Sequence, residues 1–249
     1  MRTVGKRRRR RVVFAAVAVL LIPPAAYVGH RQAIDNFSAV VPGRVYRSDQ
    51  MTGPSIAAAV RGYGIKTVLN LRGANPSQSW YRDERAATTA AGATQVDVAV
   101  SSCEWMSRAQ LRALVGVLDS CDYPLLVHCQ WGAERTGLVS AFSELLRQGS
   151  TVEDAERQFS LRYLFLPVKD GKVMLGHLAQ YQGWLRSRGW EHSPARFREW
   201  AEGGFTPLSP SREQWPYDPY PLVTVTRPAN SPGSGATPLA DSATRGERR

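Results

Sequence analysis

The sequence predicts an α/β domain with a mainly parallel central sheet flanked by helices. Short buried strands alternate with amphipathic helices along residues 37–202, and this alternation is typical of parallel strands that are covered on both faces. Apolar residues make up 43% of the 249 residues, and only 3 residues are cysteines. The chain can therefore bury a core without a disulfide framework. This composition excludes the disordered, collagen-like and coiled-coil classes.

Each predicted element follows from local signals. Strands are predicted where short apolar or alternating runs lie between turn residues, and helices where apolar residues recur every three or four positions. Glycine and proline mark boundaries, as Gly53 and Pro54 do at the start of one helix and Gly64 at its end. The predicted strands are 44–47, 66–71, 94–100 and 124–128. The predicted helices are 54–63, 80–91, 107–118, 136–148, 151–160 and 173–188.

The N-terminus combines a basic segment, residues 1–11, with residues 12–28, which are 17 consecutive residues without a charge. In a helix they span about 25 Å, a little less than a bilayer core. A cleaved signal peptide fits poorly, because no pair of small residues follows the apolar run at a suitable place. A buried core helix is disfavoured by the adjoining arginines. We therefore expect one transmembrane signal anchor at 12–28, a cytoplasmic tail at 1–11 and a domain on the periplasmic or extracellular side.

The net charge bears on possible nucleic-acid binding, and the C-terminal composition bears on where the folded domain ends. The formal net charge is +11, but seven of the positive charges lie in the first eleven residues, which leaves only a mild excess elsewhere. A nucleic-acid partner is therefore not expected. Residues 206–249 are rich in Pro, Ser, Gly and Arg with little periodicity. This composition predicts a largely disordered tail after a folded domain at 37–202.

The most informative stretch is residues 128–137, HCQWGAERTG, which follows a predicted buried strand and opens a helix. A short strand-to-helix loop can turn its backbone N–H groups toward one point, in front of the positive end of the helix dipole. Arg135 adds a two-pronged guanidinium that matches a tetrahedral dianion, and Gly132 adds the conformational freedom that a tight loop requires. The predicted phosphate-binding residues are Gln130, Trp131, Gly132, Ala133, Glu134 and Arg135.

Cys129 stands where this loop begins. Helix N-termini and cationic neighbours lower the pKa of a thiol from about 8.5 to roughly 3.5–7.5, so we expect Cys129 to be a thiolate aimed at the bound anion. His128 is expected to order the loop through imidazole hydrogen bonds. Thr136 is expected to donate its hydroxyl to the sulfur and so ease the departure of the thiolate in a second step.

The stretch resembles the Cys-x5-Arg-Ser/Thr phosphate loop of the cysteine-dependent dual-specificity and protein tyrosine phosphatases. VVPGRVYRSDQ (residues 40–50) and YGIKTVLNLRG (residues 63–73) also resemble segments of compact bacterial and fungal members. An N-terminal membrane segment before such a domain is similar to a bacterial subgroup. The resemblance implies a dual-specificity phosphatase-like fold and a phosphocysteine intermediate on Cys129, without a metal or another cofactor. It implies a phosphorylated protein, or a phosphorylated lipid or small molecule, as the substrate.

The candidate general acids of this sequence differ from the aspartate that the family normally uses. The family normally uses an aspartate upstream of the cysteine on a mobile loop, but the corresponding loop, SSCEWMS (residues 101–107), has none. Glu104 is its only carboxyl. Glu134 lies inside the phosphate loop, where a dianion and a thiolate would raise its pKa and keep it able to donate a proton. Asp97, in the preceding strand, is a third possibility, and a salt bridge or a solvated rim is the alternative for Glu134.

Two classes of function follow. The first is an active phosphomonoester hydrolase; the alternative is a catalytically silent, membrane-tethered phosphate-binding pseudophosphatase, which the missing aspartate suggests. The retained Cys129, Arg135 and Thr136 favour the enzyme, because a binding module does not need a thiolate.

The sequence leaves two possible roles open for each of several residues around the loop. Trp131 is either a rim residue that stacks on a substrate ring or a packing residue. Arg72 and Arg82 are either a basic rim for polyphosphorylated substrates or ordinary surface arginines. Cys103 is either a resolving partner that traps Cys129 in a reversible disulfide or an inert thiol.

Overall fold

The computed structural model describes residues 3–168, 170–208 and 221–229. The strands are β1 (Ser38–Val41), β2 (Val45–Ser48), β3 (Thr67–Asn70), β4 (Thr94–Val98), β5 (Leu125–His128) and β6 (Val223–Thr226). The helices are α1 (Thr3–Ala33), α2 (Gly53–Tyr63), α3 (Ser79–Ala90), α4 (Arg108–Ser120), α5 (Glu134–Leu145), α6 (Val152–Glu156), α7 (Asp170–Arg186) and α8 (Pro194–Glu199). A 3₁₀ turn, Leu161–Tyr163, follows α6, and a π-helical turn, Trp200–Gly204, continues α8.

Within the described residues, six strands form one mixed sheet in the order β1-β2-β5-β3-β4-β6. The four central strands β2, β5, β3 and β4 run parallel. The edge strands β1 and β6 pair antiparallel with β2 and β4. The carboxyl ends of the central strands therefore meet at one edge of the sheet, which is where α/β proteins place their ligand sites.

Alternation along the strands divides the core between the two faces of the sheet. Val68 and Leu126 pack with Ile56 and Val60 of α2 on one face. Leu69 and Val127 belong to the larger cluster on the other face. That cluster includes Leu114 of α4, Phe142 of α5 and Leu178 of α7. The central strands are thus buried on both faces, which explains their nearly continuous apolar sequences.

The N-terminal segment corrects the fold prediction. Among the residues that the structure describes, no helix is long and apolar enough to span a bilayer. The predicted transmembrane anchor at 12–28 is therefore wrong, and so is the predicted single-pass localisation with its domain on the non-cytoplasmic side. The predicted membrane contact through this helix is not supported. Residues 12–28 instead belong to α1, which begins at Thr3, contains Pro23 and Pro24, and continues through His30 and Arg31.

The end of α1 is part of the folded domain. Arg31 is buried, and its Nη2 donates to Asn36 Oδ1 at 2.6 Å and to Ser38 Oγ at 3.0 Å. The Tyr27 hydroxyl donates to the carbonyl oxygen of Arg162 at 3.0 Å. These contacts hold the C-terminal end of α1 against the domain.

Two strands, β1 and β6, were not predicted from the sequence, and α8 was indicated only by the helical spacing of aromatic residues, without bounds. Of these, β6 lies within the tail that composition predicts to be disordered, and it extends the sheet beyond β4. Residues 209–220 and 230–249 of that tail lie outside the described residues.

Candidate active site

Residues 129–133 form the loop between β5 and α5, and its carbonyl groups are held from behind. The Gln130 carbonyl accepts from the Gln50 N–H at 3.3 Å, and the Trp131 carbonyl accepts from Asn36 Nδ2 at 3.1 Å. The Gly132 carbonyl accepts from Arg47 Nη2 at 2.8 Å. Each carbonyl is trans to the N–H of the next residue, so the N–H groups turn the opposite way. The loop is thereby shaped as an anion cradle.

Gly132 permits the tightest approach in this loop. Its φ is +66°, and a Cβ atom added there would lie 2.7 Å from the carbonyl oxygen of Ser48 and 2.8 Å from the backbone nitrogen of Asp49. Both contacts are with backbone atoms, which cannot swing away. The position therefore requires glycine for two independent reasons, its left-handed conformation and its lack of a side chain.

Arg47 of β2 lies beneath the loop, completely buried. Besides the Gly132 carbonyl, its guanidinium donates to the Gln158 carbonyl at 2.9 Å and lies 3.8 Å from the centre of the Tyr163 ring. Burial lowers the pKa of Arg47 to about 10, although the Tyr163 and Cys129 charges oppose this. Arg47 therefore remains a cation at neutral pH and fixes the back of the loop.

Cys129 follows β5 directly, and its side chain is buried. Burial by itself would raise the pKa of this thiol. The charge of Arg135, together with hydrogen bonds from the hydroxyl and backbone N–H of Thr136 and from the backbone N–H of Trp131, lowers the pKa below its usual value. Among the described residues, the Thr136 hydroxyl has no other partner, so it is free to donate to the sulfur.

The Arg135 guanidinium is held on one side only. Nη1 donates to the Val100 carbonyl at 3.2 Å and, more weakly, to the Leu71 carbonyl at 3.5 Å. Its Nε is buried and has no partner in the described part of the chain. A buried donor without a partner costs free energy, and an anion on the loop would satisfy it.

His128 supports the loop from the end of β5. Its Nε2 lies 3.1 Å from Glu84 Oε1, and both side chains are buried. Burial alone would lower the pKa of His128, but the charge of Glu84, the hydrogen bond to it and the charge of Cys129 raise it above the usual value. Glu84 also accepts from Gln95 Nε2 at 3.0 Å and from the Gln50 side chain.

Asp97 is enclosed by hydrogen bonds within the sheet. Its Oδ1 accepts from Asn70 Nδ2 at 2.9 Å and Gln95 Nε2 at 3.0 Å, and its Oδ2 accepts from the Tyr81 hydroxyl at 2.7 Å. Both oxygens are therefore occupied by structural partners. This arrangement counts against Asp97 as a proton donor to a substrate.

Glu104 and Glu134 are both half-buried. In the described residues, neither carboxylate makes an ion pair or a hydrogen bond, so the salt-bridge alternative for Glu134 finds no support there. Glu134 is the first residue of α5, next to Arg135. Glu104 lies in the 101–107 loop, with its backbone N–H bound to Ser101 Oγ at 3.2 Å.

The far end of the 101–107 loop is fixed by α7. The Met106 N–H donates to His177 Nε2 at 3.1 Å, and His177 Nδ1 donates to the Val173 carbonyl at 2.8 Å. The Trp105 ring covers Gly176, where an added Cβ would lie 2.7 Å from the indole. The loop that carries Glu104 is thus anchored at one end by His177 and at the other by Val100, which binds Arg135.

Trp131 and Cys103 lie at the surface near the loop. Trp131 is 59% exposed, which favours the rim interpretation over packing against a helix. Cys103 is exposed and free, with Sγ 3.5 Å from Ser101 Oγ. The Cys103–Cys129 disulfide stays a prediction.

Residues 20–168, more than half of the chain, match the family model described as "DSP-PTPase phosphatase fused to NAD+ Kinase". The chain belongs to this phosphatase family. It is therefore a cysteine-dependent phosphatase of the dual-specificity and protein tyrosine class, a class that hydrolyses phosphoesters through a phosphocysteine intermediate. The sequence prediction of the family and of the enzyme class is confirmed.

Several solved structures are similar to this phosphatase. A DUF442 protein from Shewanella putrefaciens is 16% identical, with 61% of this chain and 96% of that chain covered and a TM-score of 0.46. A P. aeruginosa TpbA variant in complex with pTyr is 18% identical, with coverages of 57% and 87% and a TM-score of 0.44. The catalytic domain of the PP-IP phosphatase SIW14 from S. cerevisiae is 22% identical, with coverages of 62% and 92% and a TM-score of 0.45. Comparison with the curated proteins finds no match.

The structure of this phosphatase brings Cys129, Arg135, Thr136 and the loop together as the sequence predicts, with His128 behind them. Sequence reasoning missed Arg47, Glu84 and Gln50, which hold the loop from other elements. A charged residue inside the predicted strand 44–47 was the available signal for Arg47. Glu84 had no comparable signal, because it lies on a predicted helix among other charged residues.

Proposed function

We propose that this phosphatase transfers the phosphoryl group of a phosphomonoester to Cys129 and then to water. The observation that carries the proposal is a buried thiol with a lowered pKa beside a guanidinium whose Nε has no partner within the described ranges. In the first step the thiolate attacks phosphorus, an S–P bond forms, and the P–O bond to the leaving group breaks. The leaving oxygen departs with a proton from a general acid.

The transition state carries its charge on the equatorial phosphoryl oxygens. The Arg135 Nε and the inward backbone N–H groups of the loop and of the first turn of α5 are the donors for these oxygens. They are already in place before the substrate binds, so no free energy of reorganisation is needed during the reaction. Arg47 and Asn36 contribute indirectly by holding the loop carbonyls.

In the second step a water oxygen attacks the phosphocysteine, and the sulfur leaves as a thiolate. The Thr136 hydroxyl stabilises that thiolate by donating to it, which fits a hydroxyl with no other described partner. Water loses a proton as it attacks, and the carboxylate that protonated the leaving group accepts it.

Turnover of an aryl phosphate tests the nucleophile, because a good leaving group makes the rate independent of the acid. Cys129→Ser is expected to abolish turnover while the protein still binds inorganic phosphate, since a hydroxyl replaces the thiolate in an intact loop. Cys121→Ser is the matched control, because burial raises the pKa of Cys121 to about 11 and it precedes β5. Turnover by Cys129→Ser at the wild-type rate would exclude the mechanism. Phosphate binding by an inactive wild-type protein would indicate a silent phosphate-binding module.

We propose Glu134 or Glu104 as the general acid. Their roles separate in pH–rate profiles of an alkyl phosphate, whose leaving group needs protonation. Above the pKa of the acid, kcat/KM of the wild-type enzyme falls, and the variant that loses this fall, Glu134→Gln or Glu104→Gln, identifies the acid. Asp49→Asn is the necessary control, because burial and the charge of Asp35 raise the pKa of Asp49 to about 6. If neither glutamine variant loses the fall, both assignments are wrong.

The substrate is a phosphorylated protein or a phosphorylated lipid or small molecule. The exposed indole of Trp131 at the rim supports a substrate that presents a ring or an apolar group next to its phosphate. Phosphotyrosine peptides and phosphorylated inositols are the two substrate classes to compare. Trp131→Ala should raise KM more for the class that the enzyme uses.

A further inference from the structure

Arg72 follows β3 at the edge of the sheet where the phosphate loop lies. The preceding residue, Leu71, donates its N–H to the His128 carbonyl at 3.0 Å and accepts from Arg135 Nη1 at 3.5 Å. Arg72 thus directly follows a residue whose carbonyl group contacts Arg135. Sequence analysis left open whether Arg72 is a rim residue or an ordinary surface arginine.

The Arg72 side chain is held in place on two sides. Its guanidinium carbon lies 3.5 Å from the centre of the Trp80 ring, a close stacking distance. Nη1 donates to Gln50 Oε1 at 2.9 Å. Gln50 in turn donates its backbone N–H to the Gln130 carbonyl of the phosphate loop at 3.3 Å and its side-chain amide to Glu84. The orientation of Arg72 is therefore coupled to the loop.

The charge of Arg72 has no carboxylate partner among the described residues. The carboxylate whose charge acts on it, Glu84, is engaged by His128 and Gln95. Burial lowers the pKa of Arg72, and the second cause is the positive charge of Arg135. The positive charges of Arg72 and Arg135 thus act on one another, offset in part by the charges of Glu84 and Cys129, and a bound polyanion would offset their repulsion further.

Arg82 is a nearby arginine whose guanidinium is bound by carbonyl groups of its own segment. Its side chain is exposed, and Nη1 donates to the carbonyl oxygens of Pro76 at 2.9 Å and Ser77 at 2.8 Å. It closes the loop before its own helix. Arg72 makes one side-chain hydrogen bond in the described structure, and its other N–H donors remain available.

We propose that Arg72, stacked on Trp80, is a second anion subsite beside the phosphate loop. The preferred substrate is then a compact organic phosphate that carries a second phosphoryl group next to the one transferred to Cys129. The proposal rests on the proposed function in placing the first phosphoryl group on the loop. It predicts a specificity and adds no step to the reaction.

The test is the affinity of the full chain for two ligands that cannot be hydrolysed, measured by calorimetry. Methylphosphonate can occupy the loop alone, and methylenediphosphonate can reach both subsites. The wild-type protein is expected to bind the diphosphonate at least tenfold more tightly, which corresponds to about 1.4 kcal/mol. Arg72→Gln is expected to weaken diphosphonate binding at least tenfold more than methylphosphonate binding, and Arg72→Lys to give an intermediate result.

Arg82→Gln removes the same charge at an exposed site and is expected to keep the wild-type preference. Equal losses in Arg72→Gln and Arg82→Gln would attribute the preference to net charge and overturn the proposal. Equal weakening of both ligands by Arg72→Gln would also overturn it, since Arg72 would then only support the loop. Aryl phosphate turnover by the same preparations separates this result from the proposed function: turnover without a diphosphonate preference rejects the subsite alone, and a preference without turnover rejects the mechanism alone.

Discussion

Glu84 and His128 form a buried ion pair directly behind the phosphate loop. A buried carboxylate is costly unless its oxygens are bound, and Glu84 is bound by His128, Gln95 and Gln50. His128 immediately precedes Cys129, and the two side chains act on one another electrostatically. Glu84 therefore favours the protonated form of His128, whose positive charge adjoins a nucleophile that must stay ionised.

Glu84→Gln tests this pair at the scale of single residues. Without the carboxylate charge the pKa of His128 should fall, and because His128 then loses its positive charge near neutral pH, the pKa of Cys129 should rise. The pH dependence of alkylation of Cys129 by iodoacetamide measures this shift. Glu144→Gln removes another buried carboxylate, one that pairs with Arg147, and should leave the alkylation profile as in the wild type. Coincident profiles for Glu84→Gln and the wild type would refute the coupling.

The phosphate loop is an element whose shape depends in part on the close approach of Gly132 to the main chain of Ser48 and Asp49. Gly132→Ala would place a methyl group against the carbonyl oxygen of Ser48 and the nitrogen of Asp49. We expect the loop to move and turnover to fall more than tenfold, with a loss of about 2 kcal/mol in the free energy of unfolding. Urea denaturation and aryl phosphate turnover measure both effects.

Gly149→Ala is the control for that substitution. Gly149 also has a positive φ, +74°, but an added Cβ would meet no atom within 4 Å. It should cost only the backbone strain, about 1 kcal/mol, and leave turnover unchanged. If the two variants lose the same activity and stability, the contact with β2 is not what shapes the loop.

The pH dependence of stability belongs to the whole molecule, because it compares the folded and unfolded chains. Burial lowers the pKa of His177 to about 4, below its usual 6.5. Between pH 6.5 and 4 the unfolded chain therefore binds a proton that the folded chain does not, and the free energy of unfolding falls on acidification by roughly 3 kcal/mol. The contribution is fully present above pH 6.5.

His177→Gln isolates this effect. Glutamine offers an oxygen to the Met106 N–H but does not titrate, so the variant should be less stable than the wild type at pH 7.5, and the difference should shrink toward pH 4. Urea denaturation across this pH range measures it. Asp49 has the opposite effect on the free energy of unfolding, because its raised pKa stabilises the folded chain on acidification. Asp49 is present in both proteins, so its effect cancels in the difference between them. A difference between the two proteins that is independent of pH would rule out the titration of His177.

The sequence alone determined those features that depend on neighbouring residues. The strands that become β3, β4 and β5 were predicted because short apolar runs lie between turn residues, and the phosphate loop was predicted because its cysteine, glycine and arginine are close in the chain. Family membership followed from the same local motif. Loop geometry of this kind is encoded within about ten residues, so it can be read without knowing the rest of the fold.

Features that join distant segments were decided only by the tertiary structure. Arg47 of β2 binds the phosphate loop, Glu84 of α3 binds His128 behind it, and His177 of α7 binds the 101–107 loop. Apart from the charge of Arg47 within a predicted strand, no local pattern marks these residues, because each acts through a partner that it meets only after folding. The strand β6 forms because β4 leaves an edge to pair with. The helix at 12–28 was assigned to a membrane from its hydropathy, which is a local average, whereas Arg31 docks the end of that helix onto the domain. Local patterns determine which segments are strands, helices and loops; burial and pairing across the fold determine which side chains act together, since only folding brings them within a few ångströms.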